Sequence, residues 1–124
     1  MAPSRQIIVN AFFDQLVAFL SELKDMYPDD PDFALGFTSV KMMRTMNPTM
    51  IVNMFFENVR PYESEILTRN ENFFLDHSFS NVGDVDFNLL DKLKQYVRGM
   101  SDVSKKNVWI YVENLYKLSK IIAT

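Results

Sequence analysis

The chain has 124 residues, 48% hydrophobic and 14% aromatic, with no cysteine, one histidine and a formal net charge of −3. That length makes one domain, 1–124, able to bury about two-thirds of its unfolded surface without a disulfide or metal staple. The composition excludes intrinsic disorder, thiolate chemistry and Cys- or His-rich metal centres.

Residues 4–27 carry a helical period: Val9, Phe13, Leu16, Leu20, Leu23 and Tyr27 recur every three or four positions. Phe12, Val17 and Phe19 widen the stripe, as expected of a helix contacted on more than one side. Pro28 stops it, and Asp30-Pro31 reads as an N-cap followed by proline in the first helical position. The second helix runs to about Met46 with Phe33, Phe37, Val40 and either Met43 or Met46 inward, locally weakened by Gly36. Asn47-Pro48 repeats the device and opens a third helix through Val59. Pro61 should kink or end it, with a short helical continuation over 62–67.

From 68 to 86 the period is lost. Asn, Asp, Ser and Gly crowd the segment, yet Phe73, Phe74, Leu75 and Phe79 predict a loop pinned to the core by at least two buried rings. Asp86 caps a helix through about Arg98, with Phe87, Leu90, Leu93 and Val97 inward, and Gly99 ends it. Ser101 or Ser104 caps the last helix, whose inward stripe is Val108, Tyr111, Leu115, Leu118 and Ile122. No period-two alternation, hairpin signal or internal repeat is present. The predicted fold is all-α, a compact orthogonal or up-down bundle of five to six helices with one irregular segment, about 68–86.

The strings YPDDPDF (27–33), NP (47–48), VRPYE (59–63), RNENFFL (69–75) and VWIY (108–111) resemble those of small helical proteins of large nucleocytoplasmic DNA viruses, especially viruses of algae. The resemblance covers about residues 10–120. It implies a viral or marine-environmental origin and supplies no activity, cofactor or site residue.

Charge is uneven. Residues 1–91 carry 6 basic against 14 acidic side chains, whereas 92–124 carry 7 basic against 2 acidic. Lys92, Lys94, Arg98, Lys105, Lys106, Lys117 and Lys120 could form a cationic face for phosphate or an acidic partner, with Lys105, Lys106, Lys117 and Lys120 as the contacts. The competing reading, ranked first, pairs these charges with the acidic remainder of the fold. Along the last helix Glu113 would pair with Lys117 at the i, i+4 spacing, leaving Lys106 and Lys120 free. Met42, Met43, Met46, Met50 and Met54 cluster across one helix boundary; core filling is preferred over an adaptable partner groove. Tyr96, Trp109, Tyr111 and Tyr116, interleaved with lysines, read as core rim before base-stacking platform.

His77 lacks helical spacing to any nearby carboxylate and stands in no H-E-x-x-H pattern. Counted from Asp76, an EF-hand would need glycine at Asn81 and glutamate at Phe87. With three glycines there is no nucleotide-binding fingerprint, and no G-x-S-x-G elbow occurs. No catalytic, cofactor or metal residue is therefore assigned, and no cofactor. The expectation is a non-enzymatic helical protein–protein interaction module, self-associating or bound to a protein partner, and a viral accessory or structural component if the resemblance holds. The alternative is a nucleic-acid-binding protein using basic helices over 92–120. The longest apolar runs fall short of the ~20 residues of a membrane span, and no secretory signal is read. The expected location is intracellular, in host cytoplasm or virion, with no membrane contact and no secretion.

Overall fold

A computed structural model describes residues 4–69 and 89–123, the last range with side chains from Leu93 onward. The fold is all-α, and no strand occurs among the described residues. Helix α1 spans Arg5–Met26, with the Ser4 hydroxyl accepting from the Ile7 amide at 3.3 Å. It ends where Tyr27 donates its amide to the Leu23 carbonyl and Pro28 can offer no further donor. Helix α2 spans Pro31–Met46 and starts on the Asp30 carboxylate, which accepts from the Asp32 amide at 3.0 Å. Asn47 does two jobs. Its amide closes α2 on the Met43 carbonyl, and its side chain accepts from the Met50 amide to open α3, Pro48–Val59.

At Pro61 the chain tightens into a 3₁₀ turn, Arg60–Tyr62, then resumes as the short helix α4, Glu63–Leu67. Helix α5 covers Leu89–Val97, and α6 covers Asp102–Ala123. Between the start alternatives for α6, Ser101 is the cap: its hydroxyl accepts from the Ser104 amide at 3.2 Å. Beyond Arg69, the irregular segment lies outside the described residues. So do the expected anchors Phe73, Phe74 and Phe79, the Asp86 cap, Phe87 and His77.

The order of packing follows from which helices have two apolar faces. Helix α1 buries Phe12, Phe13, Leu16, Phe19, Leu20 and Leu23, too wide a set for one neighbour, and lies between α2 and α6. Both neighbours run antiparallel to it. Arg44 of α2 reaches back to the Asp14 carboxylate at 2.8 Å and the Asn10 carbonyl at 3.3 Å. On the other side Arg5 donates to the Ile122 carbonyl at 2.8 Å, a cation on the negative end of α6. Phe19 stacks on Tyr111 with centroids 4.9 Å apart. Helix α3 crosses onto α6 through Ile51, Val52, Phe56 and Val59, and Ile66 of α4 is fully buried. From α5, Leu93 and Val97 enter the core as expected. The buried stripe of α6 is broader than the period alone indicates: Trp109, Val112, Tyr116 and Ser119 join Val108, Leu115 and Ile122. Ser119 sits dry because its hydroxyl donates to the Tyr116 carbonyl at 2.8 Å.

Two expectations are corrected here. Of the five clustered methionines, Met43 and Met54 pack against the core, but Met42, Met46 and Met50 are exposed, Met46 at 70%. Asn47 turns the chain within one residue, so no wedge of space opens between α2 and α3 for all five to fill. Helix α1, at 22 residues, is also long and apolar enough to cross a membrane by length and composition, although its uninterrupted apolar runs are short. Its phenylalanines and leucines make up that hydropathy, and here they pack between α2 and α6.

Candidate functional site

The cationic residues of the C-terminal helices divide into two groups along α6. Eleven residues separate Lys106 from Lys117, about 16 Å along the axis at 1.5 Å per residue. Toward the C-terminus, Lys117 lies 2.9 Å from Glu113, as the i, i+4 spacing predicts. The other oxygen of Glu113 receives the Arg69 guanidinium at 3.0 Å. One turn further on, Lys120 meets Glu63 of α4 at 2.7 Å. This corrects the expectation that Lys120 is a free charge, because its partner comes from a helix 57 positions away in the chain.

The electrostatics agree with that geometry. Hydrogen bonding to Lys117, reinforced by Arg69, holds the Glu113 carboxyl below its ordinary value of 4.5 against the opposing effect of desolvation. Lys120 and the Tyr116 hydroxyl lower Glu63 in the same way, and Glu63 raises Lys120 in return. Burial raises the Tyr116 phenol, and its hydrogen bond to Glu63 raises it further. These groups clamp α4 and the start of the following turn onto α6.

At the amino end of α6, Lys106 is exposed and Lys105 half-buried, and neither makes an ion pair with a described residue. Arg98 is exposed and Lys94 half-buried, while the side chain of Lys92 lies outside the described residues. The four named contacts thus share a helix but not a single cluster. The aromatic rings offer no open platform beside them. Trp109 and Tyr116 are buried, Tyr111 lies against Phe19, and Tyr96 stacks on Tyr27 at 4.0 Å.

A cleft of about 540 Å³ sits at the α1–α2 turn, lined by residues 26–32 and Tyr96. Its polar centre is already engaged: Asp30 caps α2 and accepts the Tyr96 hydroxyl. Burial raises the Tyr27 phenol above its ordinary value. Among the described residues no group of three His, Asp or Glu side chains is placed to hold a metal ion. The Asp30–Tyr96 contact was not legible from spacing, since it joins residues 66 positions apart. Comparison of the chain with protein-family models, curated proteins and solved structures finds no match in any of the three.

Proposed function

We propose that this chain is a non-enzymatic helical module acting through protein–protein contacts. The observation that carries the reading is the exposure of Leu35, Met42, Met46 and Met50 on α2 and the start of α3, 44–70% of each residue. Methionine on a helix surface is flexible and polarizable, and protein interfaces are enriched in it while their centres are depleted of charge. No catalytic, cofactor or metal residue is part of this proposal. The resemblance of the sequence strings to small helical proteins of large DNA viruses supports a role as an accessory or structural component, in host cytoplasm or virion.

Nucleic-acid binding through Lys105, Lys106, Lys117 and Lys120 ranks second. Two of those cations are held by carboxylates of the same chain, and the overall charge is −3, so few phosphates could be neutralised. The test is a fluorescence titration of a labelled DNA duplex at low and moderate salt. The wild type and a Lys106/Lys117/Lys120→Ala variant should bind weakly or not at all, and alike. Tight, salt-sensitive binding that the variant loses would reverse the ranking.

A further inference from the structure

The chain has eight methionines and no cysteine, so its side-chain sulfur can be oxidised only as thioether. The fold sorts those thioethers by access. On α2, Phe33 and Val40 turn inward, while Leu35, Met42 and Met46 make a second stripe that faces water. Met50 follows across the Asn47 turn, in the first turn of α3. Met46 is 70% exposed, Met42 55% and Met50 44%. Other methionines are shielded. Met43, next to Met42 in the chain, packs with Met54 against the core, and Met100 is 8% exposed. A helix turns by about 100° per residue, which is how Met42 and Met43 come to different environments. The backbone at the exposed positions is held by bonds that do not involve sulfur: the Met42 carbonyl accepts from the Thr45 hydroxyl at 2.9 Å, and the Met50 amide donates to the Asn47 side chain at 3.3 Å.

We propose that Met42, Met46 and Met50 are a modification site for two-electron oxidants of the peroxide class, which convert them to sulfoxides with the fold intact and turn this surface from apolar to polar. The sulfur lone pair attacks one oxygen of hydrogen peroxide. An S–O bond forms, the O–O bond breaks, and the departing hydroxide takes the proton left on the transferred oxygen to give water. Sulfur loses two electrons and peroxide gains them. The product carries a hydrogen-bond acceptor on a side chain that had been apolar, a change that is costly in a core and readily solvated on an exposed helix. Shielding Met43, Met54 and Met100 therefore separates a change of surface from a loss of fold. Met26, at the carboxyl end of α1, is also exposed and reacts, but it lies beside the start of α2 and not its end.

The test is a time course of the intact chain in dilute hydrogen peroxide, followed by peptide mass mapping. Met42, Met46 and Met50 should each gain one oxygen, at rates about tenfold or more above those of Met43, Met54 and Met100. The chain oxidised at the exposed positions should keep its circular dichroism spectrum and elute earlier from a hydrophobic-interaction column. Methionine sulfoxide reductases supplied with a thiol should restore the original mass and elution. A Met42/Met46/Met50→Leu variant keeps the surface apolar without the sulfur, and the same treatment should leave most of the elution shift absent. Oxidation of Met43 as fast as Met42 overturns the proposal. So does loss of helical signal when only the exposed methionines have reacted, an elution unchanged by oxidation, or a full shift in the leucine variant.

Discussion

Glu113 gathers cations from two places, Lys117 one turn along its own helix and Arg69 at the end of α4. Because its folded pKa is lowered, the folded chain binds fewer protons than the unfolded chain near the ordinary carboxylate range. Its contribution is then fully present above about pH 5 and is lost as pH falls through the lowered folded value. Glu113→Gln should flatten the acid limb of stability against pH, measured by urea denaturation from neutral to acid. An unchanged acid limb would show that these bonds do not persist in solution. Arg69 itself adopts a positive φ of 52°, a conformation usually left to glycine at a helix end, and its guanidinium is held by Glu113. In the core, Leu16 is 4% exposed on the most central helix. Leu16→Ala should cost about 2–5 kcal/mol by chemical denaturation, whereas a loss near zero would mean the surroundings collapse fully into the space.

At the scale of elements, the boundaries are set by short-range chemistry. Asp30 and Asn47 each cap a helix that begins with proline, and each substitution to alanine should cost roughly 0.5–2 kcal/mol. Asp30→Ala should fall at the upper end, since it also removes the acceptor of the Tyr96 hydroxyl. A Tyr96→Phe background should bring its cost down toward that of Asn47→Ala, and two additive losses would exclude the coupling. Gly99 follows the end of α5 as expected, without the left-handed backbone that would require glycine there. Its φ lies outside the left-handed region, and an added Cβ would meet the Tyr96 carbonyl at an ordinary 3.8 Å. Gly99→Ala should therefore stabilise the chain by about 0.4–1 kcal/mol, through a less flexible unfolded state. Thermal unfolding of the variant measures it, and a lowered midpoint would mean the turn needs glycine after all. These starts and stops were legible in the sequence because a cap or a proline acts within four residues of itself. The second face of α2 was less so: Leu35, Met42 and Met46 fit a helical period as well as Phe33 and Val40 do, and periodicity does not say which stripe meets a neighbour.

Over the whole molecule, α1 lies between two antiparallel helices, and Lys120 of the basic C-terminal part meets Glu63 of the acidic part. The contacts Lys120–Glu63 and Arg69–Glu113 are exposed or half-exposed pairs, so they orient α4 more than they stabilise it. Lys120→Ala should leave stability almost unchanged, and a clear loss on denaturation would mean that α4 depends on that clamp. The all-α class, the helix starts at Asp30 and Asn47, the break at Pro61 and the central stripe of α1 are all readable from the residues alone. Each of these follows from a period or a backbone constraint acting over a few residues. The partner of Lys120, the bond from Tyr96 to Asp30, the burial of Trp109 and Tyr116 on α6 and the outward placement of Met42 and Met46 emerge only when the helices pack. Those outcomes depend on which helix lies across from which, and that is settled by packing between segments far apart in the chain.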